Sequence, residues 1–141
     1  MTAKEYFRQA YRLNQKINSD IAELDELRAM SRTITSSALS EKVVRSHSGD
    51  APFVKAIERI DRLERKIDAE VDTFVNLKEE MRGVIEAVGN PNEQLILRYR
   101  YILNYSWDKI ADALNTSTRT VFRWHDNAIN NAVLPNHPQR I

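Results

Sequence analysis

Apolar residues recur at three- and four-residue steps through most of this chain, a pattern that predicts helix after helix and no alternating strand. Tyr6, Ala10, Leu13, Ile17, Leu24 and Leu27 form a first stripe, interrupted at Asp20 with Ile21 beside it. Thr2 and Glu5 stand as a capping box at its start. The stripe predicts an amphipathic helix of roughly 30 residues, hence about 45 Å. A second stripe, from Phe53, Ile57, Ile60 and Leu63 through Ile67, Val71, Phe74, Leu77, Met81, Val84 and Val88, advances 3.5 residues per step, the coiled-coil period. Between the stripes, about residues 31–51 are rich in Ser and Thr and carry Lys42, Val43, Val44, Arg45 and His47. They read as a loop, with Asp50 capping the next helix and Pro52 in its first turn. Gly89-Asn90-Pro91 stops the second helix. Residues 1–90 are therefore expected to form an antiparallel, coiled-coil-like helical hairpin.

Beyond Pro91, a short helix carries Leu95, Ile96, Tyr99, Ile102 and Leu103, and Asn104-Tyr105 breaks it. Two further helices follow around a tight turn. Ile110, Ala111 and Leu114 on the first, and Val121, Trp124 and Ala128 on the second, are the facing apolar set of a helix-turn-helix. Asn115 falls at the turn, and Asn enters the left-handed region cheaply. Ser106 and Ser117 are positioned to cap the two helices, with Asp108 favourable near the first helix start. The expected fold is all-α: the long hairpin, a trihelical helix-turn-helix domain over residues 91–134, and a tail over 135–141 that is expected to fray.

With Val121 and Trp124 turned inward, the helix over residues 117–131 presents Thr118, Arg119, Phe122 and Arg123, with Asp126 one turn on. Arg forks onto guanine edges or grips phosphate, Thr bonds bases or phosphate, and Phe touches a thymine methyl. Ser117, Thr120, Trp107 and Lys109 complete the candidate DNA-binding set. Arg98 and Arg100 are further candidates for phosphate. An ordinary helical pair with two solvated arginines meets the same spacing.

Charge changes this picture little. The net charge is +1. Residues 1–91 carry 15 Lys and Arg against 16 Asp and Glu, and residues 92–141 carry 6 against 4. The small basic excess lies in the proposed reading head. Cysteine is absent, which excludes disulfides and thiolate chemistry. His47, His125 and His137 share no ligand spacing, and no Gly-rich phosphate loop occurs. No catalysis, cofactor or metal is expected. No stretch is long and apolar enough for a membrane span, and the first residues lack the apolar core of a signal peptide, so a cytoplasmic protein is expected.

The run from Trp107 through Ile129 resembles DNA-binding region 4 of sigma-70-type factors. Ile110-Ala111 match its first helix and Ser117 its cap; Lys109 replaces the usual acidic residue, and Asn127-Ala128-Ile129 replaces the closing R-A-L. The whole chain resembles small phage late-transcription regulators of the ArpU and RinA type. The resemblance implies a phage-encoded, sigma-like transcription regulator in the bacterial cytoplasm. Double-stranded DNA would be its ligand, RNA polymerase a possible partner, and the hairpin a possible homodimer contact. Two other readings stay open: a packaging-site recognition protein like small terminase subunits, and a helical protein-interaction module that uses Phe122 and Trp124.

Overall fold

The computed structural model describes the backbone of residues 1–40 and 46–141 and the side chains of residues 1–33 and 51–141. Its elements are α1 (Ala3–Ser40), α2 (Ser46–Glu86), α3 (Pro91–Leu97), which runs on into a π-helical turn (Arg98–Ile102), α4 (Trp107–Ala113) and α5 (Thr118–Asn131). The described residues are all-α.

Most of the expected loop over 31–51 is helix instead, because α1 continues to Ser40 and α2 starts at Ser46. Ser and Thr weaken a helix by only a few tenths of a kcal/mol each once it is nucleated, so about ten more residues can propagate from an established end. The Thr33 hydroxyl donates back to the Ala29 carbonyl at 3.1 Å, the local bond by which a helix absorbs such a side chain. Pro52 consequently lies inside α2 and not in its first turn. Asp50, expected to cap the second helix, falls inside α2 and so cannot be its N-cap. Lys42, Val43, Val44, Arg45 and the side chain of His47 lie outside the described residues.

Two compact units partition the chain. One comprises Gln15–Asp72. Within it the helices run antiparallel: Lys16 meets Glu70 and Lys66 meets Asp20, each at 3.5 Å, and Arg28 meets Glu64 at 2.7 Å. Leu24, Leu63 and Ile67 form its buried seam, with Leu27 and Ile60 packed alongside. Asp20, which interrupts the stripe, is nonetheless buried on the seam. Burial raises the Glu70 carboxyl above its usual range, while the neighbouring Glu70 and then Lys66 hold Asp20 below. Ile57 and Val71 belong to the stripe yet are exposed. A strict 3.5-residue repeat drifts around a straight helix by about 20° per heptad, and Ile60, Leu63, Ile67 and Glu70 occupy the inward positions instead.

The other unit comprises Met1–Asn14 and Thr73–Ile141. Gly89-Asn90-Pro91 does break the helix, but packing does not divide there. The first turns of α1 and the last turns of α2 share this unit with α3, α4 and α5. The Thr2–Glu5 capping box opens α1: Thr2 N–H donates to Glu5 Oε2 at 2.7 Å and Glu5 N–H to Thr2 Oγ1 at 3.2 Å. Tyr6, Phe7, Leu77, Met81, Ile85, Ile96 and Leu97 are fully buried. The Tyr6 hydroxyl donates to Glu80 Oε1 at 2.8 Å, and Phe7 packs on Tyr101 with ring centroids 4.9 Å apart. At the α2 end Gln94 Nε2 donates to the Glu86 carbonyl at 3.2 Å and also to that of Val88.

The tail over 135–141, expected to fray, is tied down. Gln139 N–H donates to Glu80 Oε1 at 3.0 Å and its Nε2 to the Asn76 carbonyl at 3.2 Å. Gln9 Nε2 donates to the Gln139 carbonyl at 3.0 Å, and Ile141 N–H donates to Gln9 Oε1 at 2.9 Å. Its two prolines cannot continue a helix, but the Glu80 carboxylate and the Gln9 amide satisfy backbone groups of Gln139 and Ile141.

Candidate nucleic-acid interface

The candidate face is built on a capped, close-packed pair of short helices. Asn90 Oδ1 caps α3 by accepting from Asn92 and Glu93 N–H, and Pro91 takes the first turn. Ser106 Oγ accepts from Lys109 N–H at 3.2 Å to start α4, and Ser117 Oγ accepts from Thr120 N–H at 3.2 Å to start α5. Between them Asn115 adopts φ 50, the left-handed value expected of it. Thr116 N–H returns to the Ala111 carbonyl at 3.0 Å and Asn115 N–H to that of Asp112 at 3.2 Å. These two bonds make a Schellman turn.

Ile96, Ile110, Ala111 and Val121 form the core under this turn, with Tyr99, Tyr105, Trp107, Leu114 and Trp124 packed against it. Val121 and Ala128 are buried, as their spacing predicts. The opposite side of α5 therefore faces out: Arg119, Arg123 and Asp126 are exposed, and Phe122 retains 46% of its surface. Thr118 is half-buried at the start of the same face.

The remaining candidates are occupied by local structure. Ser117 is spent on the α5 cap, and its hydroxyl also donates to Thr120 Oγ1 at 3.0 Å. Lys109 is exposed with its ammonium 4.0 Å above the Tyr105 ring, itself stacked on Tyr99 at 5.4 Å. Trp107 is half-buried, edge-on to Phe122 at 5.2 Å and to His125 at 4.8 Å. Arg100, expected on the surface or on phosphate, is instead a packing group. Its guanidinium lies 4.2 Å from the Trp107 ring and 4.3 Å from the Tyr11 ring, and donates to the Tyr105 carbonyl at 3.0 Å. Cation–π contact on two faces outweighs solvation of one flexible side chain.

Three supports of the face escape a reading by apolar period alone. His125 is half-buried, with Nε2 2.7 Å from the Tyr101 hydroxyl and Nδ1 3.8 Å from Asp126 Oδ1. Burial lowers its pKa, Asp126 opposes that shift, and Arg100 adds to it. Burial also pushes the Tyr101 hydroxyl up to about 12. The spacing of His125 with Val121, four before it, and Ala128, three after it, is the available signal in the sequence. Glu93 is buried, and both its carboxylate oxygens accept from Asn131 Nδ2 at 3.1 Å, fixing the far end of α5. Tyr101 and Leu97 are buried where Leu95 and Leu103 were expected. The π-helical turn, closed by Leu103 N–H on the Arg98 carbonyl at 3.0 Å, widens the helix by one residue and rotates the positions after it.

What the fold defines is an all-α protein bearing a helix-turn-helix arrangement with one exposed, cation-bearing helix face. Its family is the one described as Protein of unknown function (DUF1492), to which the chain belongs; the family model matches residues 33–132. No curated protein and no solved structure matches the chain. Among the described residues no helix is long and apolar enough to cross a membrane, and no group of three acidic or histidine side chains could hold a metal ion.

Proposed function

We propose that this protein is a sequence-specific DNA-binding transcription regulator that reads a promoter or operator with α5. The observation that carries this reading is the split character of that helix: Val121 and Ala128 are buried, while Arg119, Phe122 and Arg123 stand exposed together. A helix anchored on one side and cationic on the other suits insertion in a major groove, which reads bases through its first turns. The likeness of Trp107–Ile129 to sigma-70 region 4 supports a phage-type, sigma-like regulator with RNA polymerase as a partner. The weak net charge implies low affinity per copy, so pairing through the hairpin would supply the remainder.

The test begins by selecting a preferred duplex from a random pool, then titrating Arg119→Ala and Arg123→Ala against it and a scrambled duplex at several salt concentrations. Each variant should weaken binding to the selected duplex, and one should lose about 1–3 kcal/mol of discrimination at a defined base pair. A phosphate contact would instead weaken both duplexes alike and flatten the salt slope by about one unit. Unchanged affinity in both variants overturns the reading. The exposure of Phe122 would then favour a protein-interaction module.

A further inference from the structure

The unit Gln15–Asp72 carries a groove that DNA reading leaves unused. Arg59, Arg62 and Lys66 on α2 and Glu23 on α1 rim a depression of about 380 Å³ floored by Leu27 and Leu63. Lys55 precedes Arg59 by one turn, so Lys55, Arg59, Arg62 and Lys66 follow at steps of four, three and four. Such spacing puts four cations on one flank of the helix over about 16 Å. The other flank carries Asp61, Glu64, Asp68 and Asp72 at steps of three, four and four. Helix α2 is thus mainly cationic on one flank, with Glu58 at its border, and mainly acidic on the other, where Arg65 pairs with Asp61 at 3.1 Å. Glu64 is answered by Arg28, and Lys66 by Asp20. Lys55, Arg59 and Arg62 are exposed and form no ion pair among the described residues.

We propose that this groove docks an acidic amphipathic helix of a partner protein, with the helix's apolar residues on the half-buried Leu27 and its acids on Arg59 and Arg62. The floor argues for a polypeptide over nucleic acid, because Leu27 keeps part of its surface open beside the buried Leu63 and a phosphodiester strand has nothing to bury on it. Glu23 on the α1 rim would repel a uniformly anionic strand, whereas a helix can carry its acids on the α2 side alone. The unit as a whole holds 10 Lys and Arg against 12 Asp and Glu, so no broad positive field draws DNA to it. A second copy is the poorer occupant. Pairing this face with itself sets three unpaired cations against three, with one glutamate on each groove rim, and like-charge juxtaposition is costly. The inference does not rest on DNA reading by α5.

The experiment titrates the full chain by fluorescence anisotropy with a labelled helical peptide bearing a leucine stripe flanked on one side by glutamates. Companion peptides replace the glutamates by glutamine or the leucines by serine, and a labelled random-sequence duplex is run beside them. We expect the acidic leucine peptide to bind, and Arg59→Glu combined with Arg62→Glu to weaken it by about tenfold or more. Helicity and melting should be unchanged in that variant, because both side chains are exposed, and both companion peptides should bind as weakly as the variant does. Absence of peptide binding overturns the proposal, as does equal binding by the double variant. Equal binding of the serine peptide overturns it too, reducing the site to charge attraction. Duplex affinity lost in the double variant without peptide binding would assign the groove to nucleic acid. A dimer that the double variant converts to monomer would assign it to a second copy.

Discussion

His125 ties α5 to Tyr101 in the rest of its unit, so its protonation state bears on whether α5 is held. Neutral imidazole with its proton on Nδ1, toward Asp126, accepts the Tyr101 hydroxyl on Nε2. A charged ring would lose that acceptor and stand near Arg100. Because its folded pKa lies below the ordinary 6.5, the unfolded chain binds more protons as the solution acidifies. The stability that depends on neutral His125 is therefore fully present above about pH 6.5 and lost as pH falls through the lower folded value. We expect wild type to melt above His125→Gln at pH 8 and the gap to close toward pH 5. A pH-independent gap in calorimetry would show that the ring contributes by shape alone. Arg100 illustrates the complementary lesson. Its sequence position makes it a candidate for phosphate, whereas Trp107 and the Tyr105 carbonyl nearby and Tyr11, 89 positions away, together hold it in the structure.

At the scale of elements, the short helices were largely legible because their signals are local. Ser106, Asn115 and Ser117 each act through neighbours within four residues, and all three do what their types favour. Elements set by packing were less legible. The π-helical turn has no apolar period of its own, so Tyr101 lies inside where Leu103 is expected; Leu97, before the turn, is buried and Leu95 exposed on the same short helix. The fixed tail depends on Gln9, Asn76 and Glu80, far away in sequence. Phe7 and Ile85, each beside a stripe residue, are buried only because a third layer covers the helices at this end. The outward face of α5 followed from its inward face, but which of its exposed groups engages a ligand is not encoded in any period.

The Schellman turn yields a prediction at this scale. Asn115→Gly should alter stability by less than about 1 kcal/mol, since glycine takes a positive φ without strain. Asn115→Val should cost about 1–2 kcal/mol, because a branched residue pays the left-handed penalty in full. Urea denaturation of both variants decides. Equal losses would mean that the Asn115 side chain, and not its backbone, closes the turn.

For the whole molecule, the helix-turn-helix is not an independent lobe. Tyr6, Phe7, Ala10 and Leu13 are buried in the unit that also holds α3, α4 and α5. A fragment of residues 91–141 loses the Phe7 packing, the Tyr11 side of the Arg100 sandwich and every anchor of its tail. Removing two such aromatic contacts costs several kcal/mol, comparable to the whole stability of a small domain. The fragment should show a broad, non-cooperative thermal transition by circular dichroism, and the full chain a steep one. A sharp transition in the fragment would contradict the shared core.

Gln9 grips both the sulfur of Met1, at 3.7 Å, and the amide of Ile141, at 2.9 Å. The order in which the helices are strung is therefore separable from how they pack. A circular permutant that joins residue 141 to residue 1 through a few glycines, and opens the chain between Ser40 and Ser46, keeps both of these Gln9 contacts. It should reach the same fold with the same melting behaviour, checked by circular dichroism; a lower, broader transition would show that the order of the helices matters.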